Sequence, residues 1–441
     1  MSSTVSDRWL YGWALASVGL GGASLIVPLY VVELGGGPVT LGVLAAVAAL
    51  AGAPGALGVG RLADRTGRRR RYVLGAIGVV GVALAVVPTT ESVPVVIAVN
   101  AAIWFAFAAA LPVLTLLAVV DVPESAWSDR IARLNWIQGI GWALGLLVGF
   151  LVVIASGRLG GVTSITAQRA VCVVCAASTG LGGVLAARSL PADPAADAVP
   201  TPGRLRRAMG RAARVSVRGA GFPFTPRTMD VRGLHPRRFV RRFTPELATF
   251  FLAVLLVFAG FGAFFAPLPA YLAGVGFGDG AVFGLYLALN VAAAVFFGAS
   301  ARLTARYEVT LVHAAGLAVR GLAFPVVGLL GGAFPAAVLV FAVIGFSWAV
   351  IAVTAGTLVT RLAPAVVRGE ALGVYSALSA VAGGVGSVAG GWLAARQYLR
   401  AFGLAAALVF LGAAIVLLLR WRLSRREVNP ERTLYSGDGT E

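Results

Sequence analysis

Apolar residues run through the chain in long blocks, each closed by charge or by Gly and Pro, at roughly 9–32, 39–60, 72–90, 93–119, 135–156 and 169–189. Six more follow at about 246–272, 280–301, 309–330, 334–358, 371–394 and 401–420. A helix that crosses the hydrocarbon core of a bilayer needs about 20 such residues. The pattern therefore predicts an all-α integral membrane protein with 12 transmembrane helices. The expected organisation is a six-helix bundle over 1–189, a basic linker over 190–245, a second six-helix bundle over 246–420 and a tail over 421–441.

The polar intervals set an orientation. With both termini cytoplasmic, 31 Arg fall inside, Arg158, Arg169, Arg396 and Arg400 fall outside, and Arg320 lands within a span. Positive charge collects on the cytoplasmic side of membrane proteins, so this is the expected topology. The two sets of spans also echo each other. Pro28 in VPLY matches Pro267 in APLPAY at an offset of 239, and Gly60 matches Gly298 of GASARLTARY at 238. Spans 5 and 11 align at 241, which sets Gly145 and Gly149 against Gly386 and Gly390. Six spans per copy give both halves one orientation, the arrangement of a parallel repeat, and two pseudo-symmetric bundles are expected around a central path.

Composition agrees. With 59% hydrophobic residues and a mean hydropathy of +0.89, the chain is too apolar for a water-soluble domain. All 36 basic residues are Arg and the net charge is +18, yet most of them border apolar spans. That placement argues for an anionic inner leaflet as partner and against nucleic acid. Within the linker, Arg204, Arg207, Arg211, Arg214 and Arg218 share one helical face, which reads as a helix lying on that leaflet. Cys172 and Cys175 sit inside an apolar run and read as packing residues. Nothing in the sequence calls for a metal or a cofactor.

Between the second and third spans the stretch GRLADRTGRRRR packs seven charges into residues 60–71. Its pattern Gly60-x-Leu62-Ala63-Asp64-Arg65-x-Gly67-Arg68-Arg69 resembles the loop 2–3 signature of the major facilitator superfamily, and the twelve-span layout from about 9 to 420 resembles it too. The resemblance implies that Gly60, Asp64, Arg65, Gly67 and Arg68 latch the cytoplasmic side between the halves when the transporter faces outward. Glycine at the turn permits close approach and positive φ, and Asp64 can pair with a neighbouring arginine or a helix N-terminus. Arg69 to Arg71 read as topological anchors. The family's antiporter motif in span 5 carries a Pro that GLLVGF at 145–150 lacks, so antiport is not implied, while Gly145, Gly149, Gly386 and Gly390 are expected to pack helices closely.

No Asp or Glu falls near the middle of a span, so proton coupling through a buried carboxylate is not expected. Arg320 is the exception among charges. A central Arg costs about 2.5–3.5 kcal/mol on insertion scales and should face protein or a water-filled path with a partner. In the family the cavity is lined mainly by spans 1, 4, 7 and 10, helped by 2, 5, 8 and 11, which nominates Asn100, Trp104, Asn135, Gln138, Asn290, Trp348 and Thr354. Asn290 leads that set, because an amide in mid-helix needs a partner.

The functional expectation is a secondary transporter that moves a small solute by alternating access, with room for a coupling ion. The charge-poor cavity favours efflux of amphipathic or apolar compounds. A small organic anion held by Arg320, taken up or exchanged, and a non-transporting receptor are the alternatives. An ATP-driven permease subunit and an intramembrane enzyme are less well served, since the chain has no ATP-binding motif and only His235 and His313 as histidines.

Overall fold

Each apolar block forms a helix, because a backbone in lipid must satisfy its own N–H and C=O groups. The computed structural model describes residues 7–59, 62–63, 66–119, 127–159, 161–192, 244–364 and 368–428. The linker face, Gly60, Asp64 and Arg65 lie outside these. The first half comprises α1 (Arg8–Glu33), α2 (Pro38–Pro54), α3 (Arg69–Val86), α4 (Val93–Val119), α5 (Trp127–Arg158) and α6 (Ser164–Ser189). The second comprises α7 (Pro245–Phe265), followed by a short helix Leu268–Gly274, then α8 (Asp279–Arg306), α9 (Val309–Leu329), α10 (Phe334–Leu362), α11 (Arg368–Ala394) and α12 (Tyr398–Val428). Among the described residues, 11 helices are long and apolar enough to cross a membrane. The twelfth, α2, is shorter, since Pro54 at its end has no N–H to donate, but a π turn over Gly55–Val59 carries the span onward.

The halves repeat each other contact by contact. In the first, α1 packs on α5 and α6, α4 on α2 and α3, and α3 on α6. In the second, α7 packs on α11 and α12, α10 on α8 and α9, and α9 on α12. Glycines fix the register. A Cβ on Gly145 would overlap the Val18 carbonyl, and a Cβ on Gly386 would overlap the Ala259 carbonyl. Gly21 presses likewise on Trp142 and Gly262 on Gly383. Every one of these pairs is related by an offset of 241. The counterpart of Pro28 is accordingly Pro269, not the Pro267 that the sequence suggested. Gly35 and Gly276, again 241 apart, both adopt positive φ, 83° and 90°, to end α1 and the short helix in the same turn.

One expectation changes. The stretch after Gly298, matched in sequence to the charged loop of the first half, stays helical to Arg306. Gly149 packs closely, its nearest neighbour being the Phe283 ring of α8. Gly390, its counterpart, presses on the Ala263 backbone of α7 as expected.

Two seams join the halves, α2 against α11 and α5 against α8. They differ in kind. In the first, Gly42 and Gly391 bring backbones together against Ser387 and Pro38. In the second, phenylalanines interlock, Phe283 on Gly149 and Phe150 near Gly284. Every described glycine that presses on the opposite half lies toward the end where α1 ends and α2 begins. At that end the Asp279 carboxylate accepts hydrogen bonds from Ser164 Oγ at 3.0 Å and Gln168 Nε2 at 2.8 Å, tying α8 to α6. At the opposite end Asp7 ties α1 to α5 within the first half, through Arg130 at 2.6 Å and Arg133 at 2.7 Å.

Candidate functional site

Between the halves lies a cavity of about 90 Å³. Ser24 and Pro28 reach it from α1, Leu41, Leu44 and three alanines from α2, and Asn100 and Trp104 from α4. The second half adds Phe265, Ala266 and Pro269 from the break after α7, and Tyr286 from α8. None of these side chains is charged. The break follows from sequence: Pro267 and Pro269 cannot donate to the carbonyls of Ala263 and Phe265, so the ladder stops at the cavity wall. Pro28 withholds the same bond from the Ser24 carbonyl. Ser24 and Phe265, each four residues before its proline, are also 241 apart and both line the cavity. Chemically the site offers an apolar, aromatic surface with a few neutral hydrogen-bonding groups.

Trp104 forms a braced wall. It meets Phe107 edge-on at 6.0 Å and Trp142 at 6.1 Å, and Trp13 stacks on Phe107 at 6.1 Å. Below it, Trp13 Nε1 donates to Gln138 Oε1 at 3.1 Å, which fastens α1 to α5. Asn135, one turn earlier on α5, keeps a buried Nδ2 without a partner.

The sequence candidates thus separate. Asn100 and Trp104 line the cavity together. Gln138 serves an interhelical bond. Asn290, the favoured polar residue, donates to the Tyr286 carbonyl of its own helix at 2.7 Å and does not line the cavity. Thr354 pairs with His313 Nδ1 at 2.7 Å between α10 and α9. Arg320 and Trp348 come together behind α7: the guanidinium lies 5.5 Å from the Trp348 ring and 4.3 Å from that of Phe261. Sequence reasoning missed Tyr286 and the place of the two prolines in the cavity wall; the offset of 241 would have pointed to Pro28 and Pro269 as a pair.

In the charged loop, Gly67 has φ of 68°, the positive value expected of its turn. Arg68 is exposed just before α3. Arg69 is buried, and Arg70 donates to the Ala187 carbonyl near the end of α6. Arg70 is thus fastened to protein, because the last turn of α6 leaves carbonyls that need donors.

A family model for the Major Facilitator Superfamily matches residues 13–387. No curated protein matches the sequence. Among solved structures the chain resembles the nucleoside transporter NupG, at 11% identity and a TM-score of 0.66 over 96% of this chain and 98% of that one. It also resembles a POT family transporter in complex with a thioalcohol conjugated peptide, at 14% identity and a TM-score of 0.66, over 94% and 95% of the two chains. The human organic anion transporter MFSD10 (TETRAN) is similar at 17% identity and a TM-score of 0.56, over 93% and 98%. At such identities the likeness is one of fold.

Proposed function

Because the chain belongs to the Major Facilitator Superfamily, we propose that it is a secondary transporter that moves small amphipathic or apolar solutes, outward from the cell, by alternating access. The observation that carries this reading is the cavity between the halves, built from both and lined by no charged side chain. A neutral, aromatic pocket gives little compensation to a ligand that is polyhydroxylated or multiply charged over its surface, whereas it suits a solute with an apolar body. The solved relatives named for nucleoside, peptide and organic anion ligands handle small organic solutes on the same fold.

In this reading the termini are cytoplasmic, and the two bundles rock about the cavity. The seams and the Asp279 contacts close the outer end, so the arrangement described is the inward-facing one. The loop with Gly60, Asp64, Arg65, Gly67 and Arg68 latches the inner end in the alternate state. Asn100 and Trp104 contact the solute.

The test is a thermal-shift screen of amphipathic compounds, neutral and singly charged, on the purified protein, then flux of the hits in proteoliposomes. Saturable flux, lost on replacing Trp104 by Ala, is expected. Saturable binding with no flux in either direction would make the protein a receptor and end the transport reading.

A further inference from the structure

Arg320 stands mid-way along α9 and is 0% exposed. Its Nη1 donates to the Ile344 carbonyl of α10 at 3.2 Å. Nε and Nη2 have no partner. Rings surround the group, Phe261 at 4.3 Å, Phe265 and Trp348 at 5.5 Å and Phe324 at 5.7 Å. A guanidinium keeps its charge when buried, and one carbonyl with several ring faces replaces only part of its lost hydration. The helices that enclose it offer no counter-ion: α9 and α10 contain no Asp or Glu, and Glu246 of α7 sits in the first turn, far along the helix from Phe261.

The two idle donors form a matched pair. Nε–H and the Nη2–H beside it point the same way, the side fork that meets both oxygens of a carboxylate. One wall of this cage is Phe265, and Phe265 also lines the central cavity. Phe265 is therefore shared by the cavity wall and by the cage of an arginine that has no counter-ion on the helices around it.

We propose that Arg320 is a carboxylate site one ring behind the cavity, and that the substrate is a small monocarboxylate with an apolar body. When the Phe265 ring swings aside, the acid head takes Nε and Nη2 while the body stays against Trp104 and the cavity wall. This rests on the transport reading above and narrows its substrate class. An arginine kept only for structure would make a poor use of the position, since apolar replacement of buried charge is often neutral or stabilising.

The test uses the full chain in nanodiscs with two matched pairs, benzoate with benzyl alcohol and 1-naphthoate with 1-naphthalenemethanol. Binding is read by thermal shift and tryptophan fluorescence. Each carboxylate should bind at least about tenfold more tightly than its alcohol, and Arg320→Met should abolish that preference while leaving alcohol affinity within about twofold. Without ligand, Arg320→Met should be as heat-stable as the parent or more so. Arg320→Lys, which keeps the charge and loses the fork, should also cost the carboxylates about tenfold. Phe265→Ala, which keeps the arginine, should speed carboxylate association. Equal binding of acids and alcohols by the parent protein, or a preference that survives in both Arg320 variants, overturns the carboxylate site and leaves the transport reading standing. Displacement of benzoate by chloride or phosphate at equal concentration would assign an inorganic anion instead. Binding of neither series counts against the cavity as a substrate path and takes this inference with it.

Discussion

Tyr30 and Tyr271, 241 residues apart, perform the same task in the two halves. Tyr30 donates its hydroxyl to the Thr90 carbonyl at 2.9 Å, just beyond α3, and Tyr271 donates to the Val327 carbonyl at 3.0 Å, near the end of α9. Each locks the segment after a cavity-lining proline, Pro28 or Pro269, onto a neighbouring helix end. The two bonds differ in setting. The Tyr271 bond is buried, while Tyr30 is also reached by Arg169 Nε at 3.3 Å, and Arg169 holds Glu91 at 2.7 Å.

Removal of the hydroxyls should therefore be felt unequally. Tyr271→Phe removes a buried bond and leaves the Val327 carbonyl only the long one from Leu330 N–H at 3.4 Å, which should cost about 1–2 kcal/mol, whereas Tyr30→Phe, whose acceptor sits on the half-buried Thr90, should cost ~1 kcal/mol or less. Thermal unfolding of the two purified variants gives the comparison; an equal effect would mean that burial of the acceptor does not govern the cost.

Glycine substitutions should split by position. Gly386→Ala drives a methyl into the Ala259 backbone and should cost about 1–3 kcal/mol as overpacking. Gly403→Ala on the exposed face of α12 meets nothing within 4 Å and should gain as much as ~1 kcal/mol of helix propensity. Melting temperatures in detergent that move the same way for both would contradict the packing argument.

Charge removal at the two ends should shift the conformational balance in opposite directions. Asp279→Asn weakens the acceptor shared by Ser164 and Gln168 and should release the outer end by about 1 kcal/mol, roughly fivefold. Asp64→Asn, in the loop whose family signature implies an inner latch, should instead depopulate the outward-facing state. Reactivity of single cysteines placed between the halves at each end reads both changes. The same sign for both variants would separate at least one carboxylate from gating.

Within the cavity, Trp104→Ala should weaken solute binding about tenfold or more, since the ring is a braced aromatic wall. Asn290→Ala should leave binding within about twofold, because that amide is engaged by the Tyr286 carbonyl on its own helix. Isothermal titration with any hit from the screen distinguishes them.

The spans were legible because lipid imposes one rule on every segment, enough apolar residues to cross and an internal partner for each backbone group. The repeat was legible too, and Gly145 with Gly386 gave its register correctly. Pro28 was matched two residues off, although the Pro-x-Tyr spacing shared by Pro28 with Tyr30 and by Pro269 with Tyr271 marks the right pair. Helix facing was the harder matter. In α4 and α8 nearly every position is apolar, so periodicity could not say that Asn100 faces the cavity and Asn290 does not. Arg320 announced itself by charge alone, but its ring cage draws Phe261 and Phe265 from α7 and Trp348 from α10, a meeting that only tertiary packing creates.

The scarcity of charge inside the spans has an electrical consequence. One elementary charge carried across the whole membrane is worth about 2.3 kcal/mol per 100 mV, and Arg320, fixed within one bundle, is the charge that stands deep among the described helices. In the proposed cycle, rocking of the bundles would carry little of the protein's own charge through the field, and its voltage dependence would belong to the cargo. A neutral solute crosses without electrical work, while a carboxylate leaving a cell that is negative inside is driven outward by the membrane voltage itself, with no second ion required to move it.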